Sequence, residues 1–94
     1  MRFEKKTAIV TGAGGGIGEA YARALHAEGA NVVIAELDQE RGQAVADDLG
    51  DRALFVATDV GDPESTDQMA GATVNAFGGI DYLVNNAAIF GNME

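Results

Sequence analysis

Five of the 13 glycines in this 94-residue chain fall between positions 12 and 18, inside the stretch TGAGGGIGEAYARAL at 11–25. Glycine carries no reactive group, so the chemistry available there is that of the backbone: N–H groups that can face an anion with no side chain in the way. A helix beginning directly after the run adds the positive end of its dipole, which is worth roughly 1–2 kcal/mol to a partly buried anion. Gly12 would let the chain leave a strand tightly, Gly16 would let a pyrophosphate approach the backbone, and Gly18 would let the helix lie close against a sheet. The spacing Gly12-x3-Gly16-x-Gly18 does not satisfy G-x-G-x-x-G in any register, and the absence of a following lysine excludes a P-loop. Glycine-rich turns between strand and helix also occur for packing alone.

A second residue narrows the choice. Glu36 lies 18 residues after Gly18, and in dinucleotide-binding folds an acid about 20 residues on accepts hydrogen bonds from the adenosine ribose and repels a 2′-phosphate. The alternative is an acid that only solvates a strand end. Leu37 brings no basic group to a 2′-phosphate, so the pair Glu36 and Leu37 favours NAD over NADP. The single histidine, His26, sits near an expected helix end and reads as a surface residue favoured by the dipole rather than as a base or ligand. Asp47 and Asp48 read as a solvated helix face. With no cysteine there is neither a disulfide framework nor a thiolate metal site, and no metal site is expected.

The elements that must position these residues are legible in the apolar pattern. TAIVT at 7–11, NVVIAE at 31–36, ALFVAT at 53–58 and IDYLV at 80–84 are short, nearly continuous apolar runs, as in strands covered on both faces. Between the first two, Ile17, Ala20, Tyr21, Ala24 and Leu25 form a helical stripe ending near Gly29. A second helix over 39–49 has Asp38 as N-cap, an inner side at Val45 and Leu49, and Gly50 as its stop. The third is capped by Asp62, carries Pro63 at its first position, turns Met69, Thr73, Ala76 and Phe77 inward, and stops at Gly78. Strict alternation of strand and helix predicts an α/β fold: a Rossmann-type, doubly wound parallel sheet of four strands in the order 3-2-1-4 with three helices.

Composition sets the outer limits. With 47% apolar and 22% charged residues the chain reads as one globular domain, and its length would let it bury only a little over ~60% of its unfolded surface. A net charge of −9 argues against a nucleic-acid partner, which requires a basic face. No run approaches the ~20 apolar residues of a membrane span, and no signal-peptide pattern precedes the glycines; the expected compartment is the cytoplasm.

TGAGGGIG at 11–18 resembles the TGxxxGxG cofactor motif of the short-chain dehydrogenase/reductase family, LVNNAA at 83–88 resembles its NNAG motif after the fourth strand, and DV at 59–60 follows the third strand as in that family. The resemblance covers the chain from end to end. It implies that Gly12, Gly16, Ile17 and Gly18 contact the pyrophosphate side and that Glu36 selects NAD. Gly15 stands where members preferring NADP often carry a basic residue, which supports the same choice. It further implies that Asp59 bonds the adenine amino group, that Val60 packs near the ring, that Asn86 and Ala87 border a cofactor ribose, and that Asn85 helps hold the central strands together. Ala88 departs from the usual glycine of NNAG.

The family's chemistry uses a Tyr-x-x-x-Lys pair with a serine and a further asparagine. Here Tyr21 is followed four places on by Leu25 and Tyr82 by Asn86, the lysines are Lys5 and Lys6, and the serine is Ser65. No catalytic residue is assigned. The resemblance therefore implies the amino-terminal half, residues 1–94, of a single NAD(P)-binding Rossmann domain, incomplete relative to the family, in a fragment or truncated product of an NAD-dependent oxidoreductase. Its partners would be the dinucleotide and a small alcohol or ketone, the parent would be a homotetramer, and the 94 residues alone would be inactive. A non-catalytic nucleotide-binding or interaction module built on the half-fold is the other reading. A relative of the sugar-nucleotide epimerases fits the glycine spacing less well.

Overall fold

A computed structural model describes residues 2–86 and places seven elements in strict alternation: β1 (Thr7–Thr11), α1 (Gly16–Ala27), β2 (Asn31–Glu36), α2 (Gln39–Leu49), β3 (Ala53–Ala57), α3 (Pro63–Phe77) and β4 (Tyr82–Asn85). The sheet runs β3-β2-β1-β4 with every neighbouring pair parallel, the expected order.

β1 and β2 are apolar at consecutive positions because both faces of the central sheet are covered. β3 is half-buried, and β4, expected to be covered as well, leaves Tyr82 and Leu83 exposed because no helix among the described residues lies over its outer side. Val10, Val32 and Ile34 look toward α1 and α2, where they meet Ala22, Val45 and Ala46. Ile9, Val33 and Ala35 look toward α3, where they meet Met69. All six strand residues are fully buried, and each larger one contributes roughly 1.5–3 kcal/mol by leaving water.

Helix ends follow the local chemistry. Asp38 caps α2 by accepting the Arg41 N–H at 3.1 Å, and Gly50 closes it at φ +76°. Asp62 caps α3 by accepting the Glu64 N–H at 3.0 Å, Pro63 occupies the first position, and Gly78 ends the helix in the left-handed region at φ +88°. Arg23 of α1 ties the two helices on one face together, reaching Asp48 of α2 at 2.6 Å and Glu19 of its own helix at 2.7 Å. Asp48 first and then Glu19 hold its guanidinium above its ordinary value.

Other local expectations change as well, β3 among them, which ends at Ala57 rather than Thr58. Most of the apolar stripe of α1 faces outward: Ile17 is 63% and Tyr21 51% exposed, and Ala20 and Ala24 lie beside them on the surface, while Leu25 packs against the core. The helix buries Gly18 and Ala22 instead, because small residues allow the closer approach that the glycine turn demands. In α3, Ala76 is exposed, while Met69, Thr73 and Phe77 suffice for the inner side. β4 runs Tyr82–Asn85 rather than 80–84, starting two residues later than expected, because the Asp81 carboxylate accepts the Thr7 N–H at 2.8 Å while the Asp81 N–H donates to the Thr7 carbonyl at 2.8 Å.

Register aligns the carboxyl ends. Thr11 stands beside Ala35 on one side and Asn85 on the other, and Glu36 stands beside Ala57. The segments leaving these ends are Gly12–Gly15, Leu37–Asp38, Thr58–Asp62 and Asn86, so the described residues expected to bind the cofactor lie at this end.

Candidate functional site

The turn after β1 is built from backbone. Gly12 leaves the strand at φ +66°, its N–H donating to the Ala35 carbonyl at 2.8 Å. Gly15 is the N-cap of α1 and supplies no capping side chain, and Gly16 opens the helix at φ +58°. A Cβ on Gly16 would meet nothing within 4 Å. Open space in front of a left-handed glycine at an uncapped helix N-terminus is what a phosphate needs to reach the amides. Ile17 is on the same exposed rim. Gly18 is different, because a Cβ there would collide with the Gly12 carbonyl oxygen and lie 2.7 Å from Asn86 Nδ2.

Glu36 closes over this turn. One carboxylate oxygen accepts the Gly14 N–H at 2.8 Å and the other accepts the Asp38 N–H at 3.1 Å. A Cβ on Gly14 would lie 2.8 Å from the same carboxylate, so a larger residue there would push the Glu36 side chain aside. Behind Glu36, α2 approaches through Gly42, where a Cβ would collide with Phe55 and stand 3.0 Å from the Glu36 Cβ. Each carboxylate oxygen retains capacity for a second hydrogen bond. Leu37, 69% exposed, adds no charge beside it.

The remaining expected residues divide. Asn86 is 4% exposed and its Nδ2 donates to the Gly12 carbonyl at 3.4 Å, while the Asn85 side-chain oxygen accepts the Thr11 hydroxyl at 3.2 Å. These two asparagines brace the turn and join β4 to β1. Asp59 and Val60 are exposed at the same end, but Asp59 bonds within its own loop: its carboxylate accepts the Gly61 N–H at 2.9 Å and its N–H donates to the Ser65 hydroxyl at 2.9 Å. Ala87 lies outside the described residues. His26 contacts the Asp51 carbonyl at 2.7 Å, remote from the turn, and among the described residues no group of three or more acidic or histidine side chains converges on a metal position.

Sequence reasoning missed Gly14, Gly42 and Arg41. The two glycines stand out only once Glu36 is placed against them. Arg41 Nη1 lies 3.3 Å from where a Cβ on Gly15 would sit, a position set by how α2 docks and by no motif.

A family model described as short chain dehydrogenase matches residues 6–94. The chain belongs to that family. This short-chain dehydrogenase chain is 53% identical over 95 residues to an oxidoreductase of Mycobacterium tuberculosis, covering 98% of this chain and 38% of that one. It is 44% identical to the sorbitol dehydrogenase of Cereibacter sphaeroides and 48% identical to the galactitol 2-dehydrogenase of Agrobacterium fabrum, covering 96% of this chain and 35% of each relative. The crystal structure of 3-ketoacyl-(acyl-carrier-protein) reductase from Brucella melitensis complexed with NADH superposes with a TM-score of 0.84 at 40% identity, over 86% of this chain and 34% of that one. The chain thus spans little more than a third of the length of the proteins it matches.

Proposed function

We propose that residues 1–94 form the amino-terminal half of a single NAD(P)-binding Rossmann domain, and that the protein is an NAD-dependent oxidoreductase acting between a secondary alcohol and a ketone. One observation carries the cofactor reading: the Glu36 carboxylate lies on the glycine turn, 2.8 Å from the Gly14 N–H. The two sequence features, 18 residues apart from Gly18 to Glu36, are therefore one site, with phosphate-facing amides next to an acid. The NADH complex of the Brucella melitensis reductase supports the same cofactor class.

The residues fit such a ligand. Gly16 has open space at its backbone, the first turn of α1 has no side-chain cap, and Glu36 keeps free acceptor capacity toward hydroxyls. Gly12, Gly16, Ile17 and Gly18 would hold the pyrophosphate, Glu36 the adenosine ribose, Asp59 and Val60 the adenine, and Asn86 with Ala87 a ribose border. Gly15 and Leu37 offer no basic group to a 2′-phosphate. The bound dinucleotide supplies the hydride donor or acceptor. This chain's part is to fix the phosphates against the amides, to orient the ribose on Glu36 and to exclude a phosphorylated ribose by charge. Neither tyrosine has a lysine four residues on, so we expect the 94 residues by themselves to bind without turnover. A cytoplasmic location and a homotetrameric parent belong to the same proposal.

Titrating the protein with NADH and NADPH while following nicotinamide fluorescence tests it. The expected outcome is a preference for NADH that Glu36→Ala narrows by about tenfold, the value of a hydrogen bond to a charged group. An unchanged ratio of affinities would remove the ribose assignment. Gly16→Val should abolish binding with helix content intact by circular dichroism, and retained affinity would sink the close-approach argument.

A further inference from the structure

The chain carries six lysines and arginines against 15 acids, and their placement is uneven. Arg2, Lys5 and Lys6 precede β1, Arg52 precedes β3, and Arg23 is engaged by Asp48 and Glu19. Arg41 alone stands at the carboxyl end of the strands. Its side chain is 72% exposed, and it is held only by a long, solvent-screened ion pair, its Nε 3.8 Å from the Asp38 carboxylate. Its Nη1 is 3.3 Å from the position a Gly15 Cβ would take, while Glu36 is 2.8 Å from the Gly14 N–H. An anion and a cation therefore flank consecutive glycines, whose Cα atoms are about 3.8 Å apart.

We propose that Arg41 is a second specificity-determining residue for the adenosine end, acting in opposition to Glu36 on the charge carried by the ribose 2′ oxygen. The proposal rests on the assignment of Glu36 to that ribose. A 2′-hydroxyl donates to Glu36 and leaves Arg41 in its exposed ion pair with Asp38. A 2′-phosphate is repelled by Glu36 but lies within the range of a guanidinium suited to bind phosphate through two N–H groups. Preference for the unphosphorylated cofactor is then a balance of two charges, and with Glu36 neutral the site already contains the cation that a 2′-phosphate requires.

Calorimetric titration of the full chain with NAD and with NADP tests this without reference to turnover, using wild type, Glu36→Gln, and Glu36→Gln combined with Arg41→Ala or Arg41→Lys. Glu36→Gln should move the affinity ratio toward NADP by roughly tenfold or more, the strength of a charge-assisted contact. Adding Arg41→Ala should erase that gain and Arg41→Lys should keep part of it. Raised salt should erode the gain in Glu36→Gln, whereas inorganic phosphate at equal concentration should not compete. If Arg41→Ala in the Glu36→Gln background lowers NAD and NADP affinity alike, or changes neither, the Arg41 assignment falls and that of Glu36 stands. If Glu36→Gln leaves the ratio unmoved, both fall. Arg41 is exposed, so an unchanged melting temperature separates either result from misfolding.

Discussion

Gly16 and Gly18 are two residues apart and meet different demands. Gly16 needs a left-handed backbone with nothing in front of it; Gly18 needs the absence of a Cβ against the Gly12 carbonyl and Asn86. Gly18→Ala should therefore cost about 1–3 kcal/mol in urea unfolding by overpacking a closed contact. Gly16→Ala should cost only the left-handed strain, about 1 kcal/mol, and equal losses would mean that the helix can retreat from the turn. At this scale the sequence was informative where type and spacing alone define the task, as for Gly12, Gly16, Gly18 and Glu36. It was uninformative for Arg41, a long side chain whose destination depends on where a different element docks.

At the scale of elements, α3 was the most legible because its punctuation is chemical: Asp62, Pro63 and Gly78 each do at a helix end what their covalent structure favours. Asp62→Ala should lower stability by about 1 kcal/mol, the usual value of an N-cap, read as a shifted denaturant midpoint at constant slope. No shift would mean that water satisfies the Glu64 amide equally well. β1 and β2 were equally readable, since burial on both faces leaves continuous apolar runs, whereas the apolar run of β4 did not reveal that one of its faces is open. The inner face of α1 was not readable. Hydrophobicity pointed to Ile17 and Tyr21, whereas proximity to the glycine turn required Gly18 and Ala22, and periodicity weighs apolar bulk without knowing which face must come closest. Asp81 set the start of β4 by a side-chain bond to the Thr7 amide that no apolar pattern encodes.

At the scale of the whole molecule, apolar surface is uncovered among the described residues on both layers of the sheet. α3 lies over β2 and β3, and Leu83 of β4, on the same side of the sheet as Ile9, is 57% exposed; the Ile17–Tyr21 face of α1 is open on the opposite layer. Among the described residues β4 is also an edge strand. Exposed apolar edges template pairing with other chains, so the 94 residues on their own should associate with rising concentration in sedimentation velocity runs. Leu83→Lys should shift them toward monomer, and a monomer at every concentration without that change would show the edge to be protected.

The bracing of the glycine turn by Asn86 has a consequence in time. The bond from Asn86 to Gly12 spans 74 positions of sequence, as do those from Asn85 and Asp81 to β1. Closing so long a loop is entropically slow compared with forming α1 beside its own strand. A growing chain therefore acquires the glycine turn early and its support last, and the proposed cofactor site matures only when the fourth strand arrives.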